Sequence, residues 1–203
     1  TVKAADELVP GTQQYYQARW EDAKVKAGNL SAGTSYTTYL GNNDTTKVEG
    51  PWMVENLKEK YDNGDISAPW DGTAVMPTKT DNGGAYDAAS NPWKVYTAEE
   101  LRWVMTNHQS FKLQNDIDLG GYLGKVWTTP ATASNTWTAD GNGYTVYNYY
   151  CNTASSYTSM FGASSNINIA DLRVANAYGN YSAASEHAII ISGASSVKII
   201  DCA

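Results

Sequence analysis

The sequence predicts a mainly β solenoid behind a helical and irregular N-terminal capping segment. A faint internal repeat is the first reason. Met160-Phe-Gly-Ala-Ser-Ser-Asn-Ile-Asn-Ile-Ala-Asp-Leu returns as Ile191-Ser-Gly-Ala-Ser-Ser-Val-Lys-Ile-Ile-Asp-Cys, which sets Gly162 against Gly193 at 31 residues and Asp171 against Asp201 at 30. A period of that size with short strands and Gly/Ser turns fits a stacked coil. The second reason is a hydrophobic period of two from Phe111 onward, in Phe111–Leu119, Tyr144–Tyr149 and Ile167–Val174, with a slip at Ala170-Asp171. The third is that few intervening segments are long or periodic enough to be crossover helices, which disfavours a βαβ fold. Each coil needs a neighbour over its apolar end, and the sequence stops at Ala203 directly after a coil strand. Further coils or domains of the same polypeptide are therefore expected.

Residues 1–67 read as a helical and loop segment packed on that solenoid. Thr12 can cap a helix to about Ala27 that places Tyr16, Trp20 and Ala23 on one face, with Gly28 as its stop. A Ser/Thr/Gly/Asn-rich loop follows, with a short extended stretch at Tyr36–Leu40. Gly50-Pro51 opens a second helix, Met53, Leu57 and Tyr61 recur every four residues, and Asn63-Gly64 closes it. Such short helices are marginal alone in water and must pack on something. Residues 68–203 form the second unit. An irregular connector, with Pro69, Pro77 and Pro92 around a turn at Asp81-Asn-Gly-Gly, leads to Thr97-Ala-Glu-Glu100. That spacing is a capping box, and Leu101, Val104 and Met105 give its helix a buried stripe.

Composition narrows the function. Of the 203 residues, 42% are hydrophobic and only 17% charged, while aromatics are weighted to 15 Tyr and 7 Trp against 2 Phe. Tyr and Trp suit half-exposed walls and binding surfaces because each joins an apolar body to a polar tip. The net charge of −7 argues against sequence-independent nucleic-acid binding, which needs Lys and Arg on phosphates. It also disfavours anionic lipid, and no apolar run approaches the roughly 18 residues of a membrane span. Cys151 and Cys202 fall on inward positions two coils apart, about 10 Å by strand spacing. That is too far for a disulfide, so both are expected as free thiols.

Taken in order, Tyr96-Thr-Ala-Glu-Glu-Leu101, Phe111-Lys-Leu-Gln-Asn-Asp-Ile-Asp-Leu119, Trp127, Asp140-Gly-Asn-Gly-Tyr-Thr-Val146, Met160-Phe-Gly162 and Ile169-Ala-Asp-Leu172 form a series of known type. The series resembles the opening coils of GLUG-motif, pectate-lyase-like right-handed β-helix modules of bacterial cell-surface proteins. The resemblance covers residues 68–203. It implies a right-handed parallel β-helix with a capping helix, Phe111–Leu119 as its first strand, and an extracellular, frequently adhesive protein. Met160-Phe-Gly lacks the leading Gly of the family pattern, and Ser192-Gly193 replaces a fuller Gly-Leu-x-Gly.

Candidate sites each have a plainer alternative. Asn115, Asp116 and Asp118, or Asp140-Gly-Asn-Gly, invite calcium, yet position 12 counted from Asp140 is Cys151, which cannot ligate as an EF-hand requires. Corner residues tolerating positive φ explain Asp140-Gly-Asn-Gly better, and no cofactor is expected. Asn148, Asp171 and Asp201 are expected to stack as a corner ladder about 4.8 Å apart. Two carboxylates so spaced suggest a retaining glycosidase, with Arg173 nearby, but such a ladder also serves unpaired backbone groups. His108 and His187 lack the partners zinc needs. Aromatics remain: Tyr15, Tyr36 and Tyr39 in the N-terminal segment, and Tyr147 and Tyr150, whose side chains are expected to point outward. The expectation is a non-enzymatic, adhesin-like binding module for a host protein, an immunoglobulin being one such case, or for a glycan. A fragment of a carbohydrate-active β-helix enzyme and a structural spacer are the alternatives.

Overall fold

The computed structural model describes residues 57–131, 135–153, 157–162, 166–181, 186–191 and 197–203. The helix expected at Thr12–Ala27, the stretch Tyr36–Leu40 and Gly193 lie outside those residues, as do Tyr15, Tyr36 and Tyr39.

Leu57 and Tyr61 stand four apart and are both buried, so the short helix α1 (Lys58–Asn63) presents one apolar face. Gly64 ends it at φ 79°, and the Gly64 and Asp65 amides donate to the Tyr61 and Lys60 carbonyls. The chain then runs extended beside the strand that follows Asn115. Ile66 bridges Asp116 in parallel, and the Ser67 and Trp70 amides donate to the carbonyls of Asp116 and Asp118. Leu57, Tyr61, Ile66 and Ala68 form a small apolar cluster of their own, with Tyr147 against it. In the connector, the turn at Asp81-Asn-Gly-Gly carries Gly83 and Gly84 at positive φ, and the Asn91 amide ties the turn to Thr80, Gly83 and Ala85.

β1 (Trp93–Val95) leads into helix α2 (Ala98–Thr106). The expected cap is present: Thr97 Oγ1 accepts from the Glu100 amide, and Glu100 Oε2 accepts from the Tyr96 amide at 2.8 Å. Ala98, Leu101, Val104 and Met105 bury the inner face.

Short strands follow: β2 (Phe111–Leu113), β3 (Ile117–Asp118), β4 (Trp137–Asp140), β5 (Thr145–Tyr147), β6 (Tyr150–Thr153) and β7 (Tyr157–Thr158). The pattern then repeats through β8 (Ile167–Ala170), β9 (Arg173–Ala175), β10 (Tyr178–Tyr181), β11 (Glu186–His187) and β12 (Lys198–Ile200). The protein is mainly β with parallel sheets: β1-β2-β4-β8-β12, β3-β5-β9, β6-β10 and β7-β11. From β4 on, the chain passes once through each of the four before returning to the first. Ile169 pairs with Ile199, so the 30-residue spacing of Asp171 and Asp201 is the register of β8 on β12. Thr145 pairs with Arg173, a spacing of 28. Phe111–Leu119, expected as one strand, divides between two sheets as β2 and β3, and the bend falls at Gln114-Asn-Asp116. The slip at Ala170-Asp171 is likewise a corner, with Asp171 at φ 49°.

One core fills the space between the sheets. Rings step through it, Phe111 to Trp137 at 6.4 Å and Trp137 to Phe161 at 5.9 Å. Cys151 is buried in this core and Cys202 lies half-buried against it, both as free thiols.

Candidate functional site

The sheet β3-β5-β9 forms the floor of an open cleft of about 650 Å³. Alternation decides what faces it. Ile117, Val146 and Val174 share one register row and point into the core, so their neighbours Asp116, Thr145 and Arg173 share a row on the other side. That row, lying across three strands about 4.8 Å apart, lines the cleft together with Tyr96, Asn115, Tyr144 and Tyr147. Lys60 and Asp65, from the end of α1, close the side next to β3.

Charge in the cleft is largely internal. The Lys60 ammonium pairs with Asp116, and that hydrogen bond raises the Lys60 pKa above its ordinary value. The other Asp116 oxygen accepts from the Thr145 amide at 2.7 Å. Lys60 also stands 5.8 Å from the Tyr147 ring centroid, and Lys79 stands 5.4 Å from that of Tyr96. Arg173 is exposed on β9, Asp65 is exposed beyond β3, and neither has an ion-pair partner among the described residues.

Beside the cleft, on the same face of the sheet, lies a buried polar knot. Asp118, fully buried, accepts from Tyr61 Oη, from Tyr122 Oη at 3.1 Å, from Asn148 Nδ2 at 2.9 Å and from the Gly120 amide at 2.8 Å. Burial raises the Asp118 pKa against the pull of those donors. Burial, then the neighbouring Asp118 charge, raises the Tyr61 phenol well above its ordinary value. The knot fastens α1 to β3 and so fixes Lys60 over the cleft. Glu100, another buried carboxyl, is pushed by burial to about 7 and faces the backbone of Tyr96.

The predicted residues separate. Tyr147 lies in the cleft, half-buried. Tyr150, expected to point outward as a binding residue, is buried instead, its ring stacked on Tyr178 at 5.9 Å, because β6 pairs with β10 and sets the two side by side. The corner ladder is corrected too. Asp171 and Asp201 occupy matching corner positions at φ 49° and 50°, but Asn148 belongs to the corner after β5 and its amide donates to the Ala175 carbonyl. Its counterpart is Asn176, also at positive φ, because Tyr147 pairs with Ala175. Of the calcium candidates, Asp116 and Asp118 have protein donors on both oxygens, and Asp140 Oδ1 accepts from the Asn142 amide. No group of three or more His, Cys, Asp or Glu side chains among the described residues could hold a metal ion.

Sequence reasoning missed Tyr96, Tyr144 and Lys60. Alternation gives Tyr147 the outward side of Thr145, but it gives Tyr144 the inward side of Val146, where it packs partly against the core. Lys60 comes from a helix with no sequence link to β3. No helix among the described residues is long and apolar enough to cross a membrane. Comparison with protein-family models, curated proteins and solved structures finds no match.

Proposed function

We propose that this chain is a non-enzymatic binding module, built as a right-handed parallel β-helix and belonging to an extracellular bacterial surface protein. The solenoid reading is supported by parallel ladders that recur at 28 to 30 residues and by a chain that revisits the same sheets in the same order. The surface-protein reading rests on the motif series of residues 96–172 and on a low-charge, Tyr- and Trp-rich composition. The ligand is a host protein or glycan.

The observation that carries binding is the open cleft on β3-β5-β9, lined by Tyr96, Tyr144 and Tyr147 together with polar and charged residues. Binding is preferred to catalysis because Asp116 is engaged by Lys60 and Thr145, and Glu100 is turned to the backbone of Tyr96. A glycosidase needs two carboxyl groups free to face one bond. The test is capture of mucin glycans and serum proteins, immunoglobulin included, by the chain and by its Tyr147→Ala variant. Capture that the variant loses supports the reading. Polysaccharide turnover by the wild-type chain would overturn it in favour of an enzyme.

A further inference from the structure

We infer that Asn63, the last residue of α1, is a site of spontaneous deamidation that turns the helix end into an aspartyl or isoaspartyl linkage. The chain holds three Asn-Gly pairs: Asn63-Gly64, Asn82-Gly83 and Asn142-Gly143. In each, the glycine has no side chain to hinder attack by its backbone nitrogen on the preceding Asn Cγ. The new C–N bond closes a five-membered succinimide, and the side-chain nitrogen leaves as ammonia. Water then opens one of the two ring carbonyls. The carboxylate is left on the side chain (aspartate) or on the former main chain (isoaspartate). No oxidant or enzyme is required.

Sequence makes the three pairs equivalent, and the structure separates them. All three asparagines are exposed. Asn142 is held at both reacting nitrogens: its Nδ2 donates to the Leu113 carbonyl at 3.1 Å, and the Gly143 amide donates to the Asp171 carbonyl at 3.1 Å. Asn82 is held at the leaving nitrogen, which donates to the Ser90 carbonyl at 3.0 Å, and its own amide donates to Asn91 Oδ1 at 2.7 Å. The Asn63 carboxamide has no hydrogen-bond partner among the described residues. Its attacking amide, on Gly64, reaches the Tyr61 carbonyl at 3.3 Å, and nothing lies within 4 Å of where a Gly64 β-carbon would stand. Helical backbone at Asn63 turns the Gly64 nitrogen away from Cγ, so ring closure waits on opening of the last turn. In a helix of six residues that opening costs little.

The consequence follows from the cap. The Gly64 and Asp65 amides close α1 on the Tyr61 and Lys60 carbonyls. Either product sets a negative charge beside the last helical carbonyls, where it is disfavoured. Isoaspartate also lengthens the main chain by one carbon, which carries the two amides out of register with those carbonyls. Lys60 belongs to the same turn and is thereby loosened from Asp116. What the cleft binds plays no part in this inference, which stands apart from the function proposed above.

The experiment is to incubate the 203-residue chain at mildly alkaline pH, folded and in guanidinium chloride, with peptide mapping by mass spectrometry at intervals. Unfolded, the three pairs should convert at comparable rates. Folded, Asn63 should convert ahead of Asn82 and about tenfold or more faster than Asn142, which has more hydrogen bonds to break. Asn63→Gln, whose ring would be six-membered, should end conversion at that position and leave the other two as they were. As isoaspartate accumulates, the Thr145 amide, which donates to Asp116, should shift in the nuclear magnetic resonance spectrum. The same resonance should stay in place in an aged Asn63→Gln sample. Conversion of Asn82 or Asn142 ahead of Asn63 in the folded chain overturns the inference. So does protection of Asn63, relative to its unfolded rate, equal to that of Asn142. Conversion at Asn63 with an unmoved Thr145 resonance overturns the loosening of Lys60 and leaves the modification site standing.

Discussion

Gly141 lies with its backbone against Leu172, and a β-carbon there would stand 2.4 Å from the Leu172 α-carbon and 2.4 Å from the Asp171 carbonyl oxygen. Both obstacles are backbone, held in place by the Gly141 amide donating to the Ala170 carbonyl at 2.8 Å. Close approach of two neighbouring chain segments therefore demands this glycine. Its neighbour Gly143 is required for another reason, a φ of 80° with open space around it. Gly141→Ala should lose about 1–3 kcal/mol through overpacking, and Gly143→Ala about 1–2 kcal/mol through left-handed strain. Urea unfolding followed by circular dichroism separates them, and a Gly141→Ala variant as stable as wild type would contradict the packing described.

The corner aspartates should behave as conformational residues. Asp171 and Asp201 are exposed and sit at φ 49° and 50°, a region that Asn shares and β-branched residues resist. Asp171→Asn should leave stability within about 0.5 kcal/mol, whereas Asp171→Val should cost about 1–3 kcal/mol. If Asp171→Asn instead abolished a polysaccharide-cleaving activity, the carboxylate would have a chemical role and the corner explanation would be incomplete.

Acidic pH should stabilise the fold within a defined window. Glu100 is raised to about 7 from 4.5, chiefly by burial. A carboxyl raised on folding binds its proton more tightly in the native state, so stability is highest below the unfolded value and falls as pH rises toward the folded one. Unfolding free energy should therefore decline between about pH 4.5 and 7 and then level, by an amount on the order of a few kcal/mol. Asp118, also raised by burial, contributes with the same sign. Glu100→Gln keeps an acceptor for the Tyr96 amide and should flatten most of the slope. A wild-type profile that rises across this window would show that Glu100 is charged at little cost.

The legible parts of the chain were those written in local chemistry. Thr97 and Glu100 announce their cap by spacing alone, and Asn63-Gly64 announces the end of α1. The spacing of Asp171 and Asp201 gave the register of β8 on β12 because each aspartate follows its strand at the same offset, two residues after the paired Ile169 and Ile199. The ladder through Asn148 failed because consecutive corners look alike in sequence. Asn148 and Asp171 both adopt positive φ, yet one follows β5 and the other precedes β9. The cleft failed for a different reason. Lys60 and Asp116 are 56 residues apart, and nothing local records that α1 folds back over β3. Tyr150 looked exposed because alternation assigns it to the face opposite Cys151, but alternation cannot see that Tyr178 arrives beside it.

The contact between Tyr61 and Asp118 should prove the strongest polar tie between α1 and the sheet. Tyr61 is fully buried, and its hydroxyl shares one Asp118 oxygen with Tyr122 while Asn148 and the Gly120 amide take the other. Tyr61→Phe removes one donor of four and leaves the ring packed on Leu57 and Ile66, so the loss should be about 1–3 kcal/mol, as for a hydrogen bond to a charged group. Asp118→Asn is harsher, because an amide NH₂ would confront donors on whichever side it turned. That variant should lose more than Tyr61→Phe, and the double variant should lose less than the sum, with a coupling of about 0.5–3 kcal/mol. Loosening α1 also releases Lys60 from Asp116, so the Thr145 amide, which donates to the same carboxylate, should shift in the nuclear magnetic resonance spectrum of either single variant. Additive losses with an unmoved Thr145 resonance would mean that the helix end is held by its apolar contacts alone.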